Sequence, residues 1–230
     1  MPIILALETS TELASAALLH GDACATLESA GAQTHSAAIL PMVQRLLAEA
    51  GIGLAQCDAI AFGCGPGSFT GVRTACGVAQ GLAFGAGLPL LPVVTLEAMA
   101  QACRAECDAG DVLALLDARM GEVYWAQYRH LDSGWMCVAE PALAAPQQVY
   151  AQGPVLACGN GLSAHAAQFA GQPFAANARP DIVPHARDVA ALGRMALAQG
   201  RVLAPQDAQP LYLRNQVALT TAERQARGHA

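Results

Sequence analysis

The same succession of predicted elements occurs twice along the chain of 230 residues. Short apolar runs with period-two alternation predict strands, and longer apolar stripes with helical spacing predict helices. The first half has strands at 3–8, 14–20 and 23–29, a helix at 34–50, a strand at 58–63, a helix at 71–85, a strand at 89–94 and a helix at 95–107. The second half repeats three strands, helix, strand and helix at 111–117, 122–130, 135–140, 146–151, 155–158 and 162–170, and a further helix follows at 186–199.

This duplication predicts the fold class. Three strands, a helix, a strand and a helix, twice over, favour an α/β protein with two ribonuclease-H-like lobes of the actin/Hsp70/sugar-kinase (ASKHA) architecture, in which mixed sheets are flanked by helices. We expect an N-terminal lobe at 1–108, a C-terminal lobe at 109–217 and a flexible tail at 218–230.

Composition limits the functions open to such a chain. Hydrophobic residues make up 54% and charged residues 13%, against roughly 45–50% and about 25% in an average globular protein. The chain can therefore bury a large core and keep apolar surface for a partner. It has no lysine, so a Walker-type phosphate loop and a Schiff base are excluded.

The first residues, an uncharged internal stretch and the cysteines lead us to expect a cytoplasmic protein. Residues 1–7 lack a basic n-region and are predicted to form a buried strand. The uncharged stretch 74–96 contains glycines, Pro89 and Pro92, which divide it into a helix and a strand and argue against a membrane span. Eight scattered cysteines without a CxxC pair are expected to be reduced and buried. No histidine pair is present, so we expect no metal site and no catalytic set in this chain.

The sharpest local feature is a glycine-rich loop between a predicted strand and a predicted helix. Ser68 or Thr70 can cap that helix, and Arg73 lies in its first turn. Two interpretations are open: a capped turn packed under the sheet, or an anion or partner contact at the helix N-terminus. The loop consists of Gly65, Pro66, Gly67, Ser68, Phe69, Thr70, Gly71 and, after Val72, Arg73.

Two further turns lie where nucleotide-using ASKHA proteins bind phosphate. Glu8, Thr9 and Ser10 follow the first strand, but the glycine expected after the acid is missing. Asp117 and Arg119 occupy the matching turn of the second half, where the arginine would crowd a phosphate. We interpret both as degenerate cleft positions. A phosphotransferase or ATPase acting through the cleft between the lobes remains the main alternative, and a homodimeric scaffold another.

The first long helix carries an apolar stripe that begins at Ile39 and ends at Ala50. The stripe can pack against the helix's own sheet, or part of it can contact a partner helix. The spacing alone leaves both possibilities open. Between these two ends the stripe comprises Leu40, Val43, Leu46 and Leu47.

Five motifs in this order resemble the TsaB (YeaZ) family of tRNA threonylcarbamoyladenosine biosynthesis proteins, over residues 2 to about 217. They are Glu8-Thr-Ser-Thr, His35-Ser with Leu40-Pro-Met-Val43, Gly65-Pro-Gly-Ser-Phe-Thr-Gly-Val-Arg73, Asp117-Ala-Arg-Met-Gly-Glu-Val-Tyr-Trp125 and Pro210-Leu-Tyr-Leu-Arg214.

The resemblance implies a non-catalytic partner subunit. Such a subunit binds and activates TsaD, in a complex that also includes the ATPase TsaE. The complex transfers threonylcarbamoyl from threonylcarbamoyl-AMP to N6 of the adenosine 3′ of the tRNA anticodon. The resemblance further implies that ATP and metal are held by the partner subunits, that tRNA is reached through the complex, and that the chain forms a homodimer when alone. It places the partner interface at His35, Ile39, Leu40, Val43, Leu46 and Leu47.

We predict that the chain alone binds tRNA no tighter than about 10⁻⁴–10⁻⁶ M, the range of non-specific binding at physiological salt. Its formal net charge is −6, and the first 101 residues hold only Arg45 and Arg73 as basic side chains. Fluorescence anisotropy with labelled tRNA over a salt series measures this affinity. Tight binding that falls steeply with salt, without any partner protein, would contradict the prediction.

Overall fold

The computed structural model describes residues 1–30 and 35–214, which form two β-sheets with helices on their faces. The first sheet contains β1 (Ile3–Glu8), β2 (Leu13–His20), β3 (Ala23–Ala30), β4 (Ala59–Gly65) and β5 (Leu90–Val94). Its order is β3-β2-β1-β4-β5. Strand β1 pairs antiparallel with β2 and parallel with β4.

The second sheet repeats this arrangement with one strand fewer. It contains β6 (Asp111–Asp117), β7 (Val123–Leu131), β8 (Gly134–Ala144) and β9 (Leu156–Cys158) in the order β8-β7-β6-β9. Strand β6 pairs antiparallel with β7 and parallel with β9, as β1 does with β2 and β4. The predicted duplication and fold class are confirmed, and in the described part of the chain the second sheet has no counterpart of β5.

Six α-helices accompany the sheets in the described part of the chain. They are α1 (His35–Ala50), α2 (Phe69–Ala86), α3 (Thr95–Cys107), α4 (Gly161–Ala164), α5 (Ala166–Phe169) and α6 (Ala186–Ala198). The predicted start of the first helix at Thr34 lies outside the described residues.

Three predicted elements differ from the observed ones. The helix expected at 162–170 is split at His165, which leaves the helical conformation with φ −125° and ψ 33°. The helix expected at 146–151 is a single 3-10 turn, Pro146–Gln148. Strand β8 continues past its expected end at 140 and includes Pro141, which an edge strand tolerates because one side of it needs no amide donor.

Both faces of the first sheet are covered. Alternate residues of a strand point to opposite faces, so Leu5 and Leu7 of β1 pack with α1 and α2, whereas Ile4 and Ala6 pack with α6. Helix α3 lies between the lobes, because its Ala98 belongs to the α6 core while its other apolar residues pack on the second sheet.

Helix α6 corrects the expected domain boundary. It was assigned to the C-terminal lobe at 109–217, but it packs against the first sheet through Val189 and Leu192. The following segment also returns to the first lobe, where Leu203 pairs with Leu90. The reason is burial: without α6 the second apolar face of the five-stranded sheet would be exposed. The tail expected at 218–230 lies outside the described residues.

The uncharged stretch 74–96 is divided between α2 and β5, as expected from its sequence. Gly87 ends α2 in the left-handed conformation with φ 67°, which favours glycine at a helix C-terminus. Among the helices at 35–214, none has the length and the apolar character to cross a membrane.

Asp188, in the first turn of α6, generates a stability prediction. Asp188 is 3% exposed, and its Oδ2 has no hydrogen-bond partner among the described residues, although Arg187 Nη2 lies 3.9 Å away. Burial raises the pKa of Asp188 to about 6, from an ordinary value of 3.8. A raised carboxyl pKa contributes stability at low pH that is lost as the pH rises through the folded-state pKa.

We expect Asp188→Asn to stabilise the fold by about 2–3 kcal/mol at pH 7. The loss of stability between about pH 4 and 6 should also become smaller, and the remainder should come from Glu8 and Glu97, whose pKa values burial also raises. Urea unfolding followed by circular dichroism over this pH range measures both effects. Asp132→Asn, a change to an exposed carboxylate in the turn between β7 and β8, is the matched control. An unchanged pH profile in Asp188→Asn would contradict the assignment.

Candidate functional site

The motifs singled out in the sequence meet in one cleft between the lobes. Its volume is about 890 Å³. Four segments supply most of its lining, namely the turn after β1, the loop before α2, the turn after β6 and residues 211–214, and His35, Tyr124 and Asn160 also line it. Because these segments are far apart in the sequence, only the duplicated fold brings them together.

Glu8 and Thr9 lie behind the cleft wall and do not line the cavity, contrary to their assignment as cleft positions, whereas Ser10 lines it. Glu8 Oε1 accepts a hydrogen bond from the backbone N of Ser10 at 2.5 Å. Its Oε2 is buried and has no partner among the described residues. Burial raises the pKa of Glu8 more than the hydrogen bonds from Ser10 lower it. Glu8 is thus a buried acid whose side chain is bonded to the backbone of its own turn.

The glycine-rich loop is joined to the turn after β1 by backbone contacts. The backbone N of Ser68 donates to the carbonyl of Ser10 at 2.7 Å, and Thr9 Oγ1 donates to the carbonyl of Gly71 at 2.7 Å. A Cβ at Gly67 would lie 2.6 Å from Ser10 Cβ, and one at Gly71 would overlap the Thr9 carbonyl oxygen. Both glycines are therefore required by close backbone approach.

Ser68 caps α2, since its Oγ accepts from the backbone N of Gly71 at 3.4 Å. Thr70 instead accepts a hydrogen bond at its carbonyl from Thr74 Oγ1. This arrangement supports the interpretation of the loop as a capped turn packed under the sheet.

Arg73 is held by aromatic rings. Its guanidinium carbon lies 3.4 Å from the centre of the Phe69 ring, and its Nε donates to Tyr212 Oη at 2.6 Å. A cation over an aromatic face is attracted by the ring quadrupole. The Pro210–Arg214 motif thus completes the site from the far end of the chain.

The same C-terminal segment connects the two lobes. The backbone N of Leu211 donates to the Cys64 carbonyl in the first lobe at 2.7 Å. Arg214 donates to Glu122 Oε2 at 2.7 Å and to the Ala118 carbonyl at 3.0 Å in the second lobe. We call residues 208–214 the interlobe strap.

An ion pair crosses the cleft from the turn after β6. Arg119 donates to Glu12 Oε1 at 2.7 Å and lies 3.2 Å from Asp117 Oδ2. Its own backbone is in the left-handed region with φ 62°, stabilised where its N–H donates to Asp117 Oδ1 at 2.9 Å. Arg119 therefore pairs with Asp117, the acid that would be required to bind a metal ion on a phosphate.

Two side chains beside Asp117 were not singled out from the sequence. Asn160 Oδ1 accepts from the backbone N of Asp117 at 2.9 Å, and His165 Nε2 lies 3.4 Å from Asp117 Oδ1. No hydroxyl or thiol among the described residues donates to His165 Nε2. In the sequence, the strand end at 159–161, where glycines flank Asn160, indicates that this turn lies near the cleft. It does not indicate what Asn160 or His165 contacts.

The structure separates the expected partner residues of α1 into two groups. Ile39, Val43 and Leu46 are 0%, 2% and 1% exposed and pack in the core of their own lobe, so their assignment to a partner interface is corrected. Leu40 is 42% exposed and Leu47 is half-buried. The stripe is wider than the face that the sheet covers. Its two edges, at Leu40 and Leu47, therefore point away from the sheet.

His35 belongs to the cleft as well as to α1. It lines the cavity, and its Nε2 lies 3.3 Å from the Glu12 carbonyl oxygen. The start of α1 therefore contacts Glu12, the residue whose carboxylate pairs with Arg119.

Helix α2 exposes a row of glycines at four-residue spacing. Gly77, Gly81 and Gly85 each have open space where a Cβ would lie. Phe84, beside them, is 80% exposed. Helix α2 turns its alanines and not these glycines towards the sheet, so none of the three glycines packs against another described element.

Across residues 1–30 and 35–214, no group of three or more histidine, cysteine, aspartate or glutamate side chains could hold a metal ion. The fold and the cleft define a two-lobed ASKHA-type protein whose cleft is crossed by the Arg119–Glu12 ion pair and whose lobes are joined by the interlobe strap.

Comparisons with known proteins agree with this class. The family model described as "TsaD: tRNA N6-adenosine threonylcarbamoyltransferase" matches residues 28–218. The chain is 39% identical to the tRNA threonylcarbamoyladenosine biosynthesis protein TsaB of Haemophilus influenzae, over 93% of this chain and 94% of that one. It is 38% identical to TsaB of Escherichia coli, over 94% and 96%.

A solved structure described as "YeaZ from Pseudomonas aeruginosa" has the same fold. It superposes with a TM-score of 0.86 at 39% identity, covering 93% of this chain and 100% of that one. The chain therefore belongs to the TsaB family.

The glycines of α2 yield a paired prediction. Gly71→Ala should destabilise the protein by about 1–3 kcal/mol, as overpacking does in a close contact. Gly77→Ala in the same helix should stabilise it by about 0.5–1 kcal/mol, because alanine loses less backbone entropy than glycine and the added methyl meets open space. Denaturant unfolding of the two variants tests both signs. Equal effects would show that the joint between the loop and the turn is not tightly packed.

Proposed function

We propose that this chain is a non-catalytic partner subunit in the formation of threonylcarbamoyladenosine in tRNA, and that it binds and activates TsaD. Membership of the TsaB family supports the pathway, since the Haemophilus and Escherichia relatives are named as biosynthesis proteins for that nucleoside. The observation that carries the partner role is an unpartnered face formed by α1 and α2.

This α1–α2 face is defined by Leu40, Pro41 and Gln44 of α1 and by Gly77, Gly81 and Phe84 of α2. All six are exposed. The two helices pack side by side on one face of the first sheet, so their outward sides form one surface. Leu40 and Phe84 supply exposed apolar area, which favours burial against a partner.

The glycines give this face its shape. Without side chains at Gly77 and Gly81, a partner helix can approach the backbone of α2 closely and make many dispersion contacts. A homodimer formed by the isolated chain would use the same face, so TsaD and a second copy of the chain would compete for it. The assembly also includes TsaE.

The cleft supports an accessory role over catalysis. Asp117 is paired with Arg119 and approached by His165, and the chain has no lysine to polarise a phosphate. No described contact favours the phosphotransferase or ATPase alternative. The Arg119 guanidinium lies beside Asp117, where such an enzyme would need to bind metal and phosphate. We assign ATP and metal to the partner subunits. We place the chain in the cytoplasm, with tRNA reached through the complex.

Gly81→Gln on the α1–α2 face tests the partner role. The substitution should raise the stability of the isolated chain by about 0.5 kcal/mol or more, since glycine is a poor helix residue. It should also weaken TsaD binding at least about tenfold, the effect of losing roughly 1.4 kcal/mol of interface energy. Isothermal titration calorimetry with TsaD and size-exclusion of the chain alone measure the two associations.

Ala105→Gln, an equivalent change at an exposed site on α3, should leave both associations unchanged. Leu40→Glu should reproduce the loss without unfolding, because this leucine is partly exposed. Normal TsaD binding by folded Gly81→Gln and Leu40→Glu variants would place the contact elsewhere and overturn the proposal.

A further inference from the structure

A smaller cavity, which we call the α3–α6 cavity, lies at the opposite end of the second sheet from the cleft. Its volume is about 290 Å³, and its walls come from the start of α3, the β7–β8 hairpin and the end of α6. Tyr128 lines it and pairs with Val112 near the start of β6, whereas Asp117 at the end of β6 lines the cleft. Helix α6 covers the face of the first sheet opposite α1 and α2. The cavity is therefore separate from the α1–α2 face and independent of the proposed partner role.

Contacts between the lobes fix the walls of the α3–α6 cavity. Trp135 Nε1 of β8 donates to Gln101 Oε1 of α3 at 2.8 Å, and the Trp135 ring meets the Tyr128 ring edge-on with 6.5 Å between their centres. A Cβ at Gly134 would lie 2.7 Å from Met195 Cε, so the hairpin turn packs directly against α6. The cavity is therefore a preformed space, as small-molecule sites usually are.

Two side chains of opposite charge line the α3–α6 cavity without forming an ion pair. Glu97 is half-buried, Arg201 is exposed, and neither contacts an opposite charge among the described residues. Arg201 Nε donates to Gln199 Oε1 at 2.7 Å, which leaves its terminal amino groups without a described acceptor. The Arg201 charge lowers the pKa of Glu97 less than burial raises it. Because charges taken out of water are ordinarily paired, these two side chains indicate a ligand that carries both signs of charge.

The Tyr128 hydroxyl is a third unpaired group in this cavity. Tyr128 is 3% exposed, and its hydroxyl forms no hydrogen bond with any described residue, although buried polar groups are ordinarily hydrogen-bonded. Burial raises the pKa of Tyr128, so the hydroxyl stays protonated and can donate. Leu192 and Met195 add an apolar wall. The cavity thus presents a donor, an acid and a guanidinium beside apolar surface.

We propose that the α3–α6 cavity binds a free α-amino acid with a small side chain. The ammonium group of the ligand pairs with Glu97, and its carboxylate pairs with Arg201 and accepts a hydrogen bond from Tyr128. Hydrogen bonds between charged groups are about twice as strong as neutral ones. A simple amine leaves Arg201 unpaired and a simple anion leaves Glu97 unpaired, whereas a zwitterion pairs both. The volume also fits a small molecule, since pockets for drug-sized ligands span about 300–1,000 Å³.

Isothermal titration calorimetry of the full chain with glycine, L-alanine, L-serine, L-threonine and L-valine, each titrated separately, tests the proposal. We expect at least one of them to bind with a Kd below about 1 mM. The N-acetyl derivative and the amide of that amino acid each lack one charge and should bind at least about tenfold more weakly. A Kd above about 1 mM for all five amino acids overturns the proposal, and so does equal binding of either derivative.

Glu97→Gln and Arg201→Gln should each weaken binding at least about tenfold, and Tyr128→Phe about two- to tenfold, the effect of one hydrogen bond. Arg104→Gln removes a charge on α3 outside the cavity, where Arg104 pairs with Asp108, and is the matched control that should leave the Kd unchanged. The melting temperature of each variant without ligand shows that it is folded. Unchanged affinity in folded Glu97→Gln and Arg201→Gln variants, or an equal loss in Arg104→Gln, overturns the site.

Discussion

The contact between the loop before α2 and the turn after β1 holds the rest of the site in place. Thr9 and Ser10 meet Gly67, Ser68 and Gly71 through two hydrogen bonds at 2.7 Å, with no room for a Cβ on either glycine. This joint fixes where α2 begins and how it crosses the sheet. The direction of α2 in turn sets the outward position of its exposed glycines. Helix α2 therefore carries two kinds of glycine. Gly71 is required by close packing, whereas Gly77 and Gly81 face open space.

An ion pair and the interlobe strap connect the two sides of the cleft beside this joint. Arg119 reaches Glu12 across the gap, and the interlobe strap joins both lobes through Leu211 and Arg214. Exposed ion pairs of this kind contribute about 0–1 kcal/mol each, so they orient the lobes more than they stabilise them. A partner that depends on the shape of the first lobe would gain from such fixed orientation, which is consistent with the accessory role we propose.

Sequence patterns predicted the fold well because the duplication repeats local signals, and they located the loop and both turns because glycines and acids follow strands there. They could not reveal that α6 crosses back to the first sheet, since its apolar stripe fits either lobe equally. They also could not divide the α1 stripe: Leu40 and Val43 look alike in sequence, and only the sheet beneath them makes one exposed and the other buried. The contacts of His165 and Arg119 depend on residues far along the chain.

A reconstituted modification assay with TsaD, TsaE, threonylcarbamoyl-AMP and tRNA tests the central claim most directly. On our account, omission of this chain abolishes the modification. Addition of an Asp117→Asn variant restores it to within about twofold of the parent chain, far from the loss of about 10²–10⁴-fold that removal of a catalytic acid or base causes. A large loss with folded Asp117→Asn that still binds TsaD would show that the cleft takes part in the chemistry, and would contradict the account.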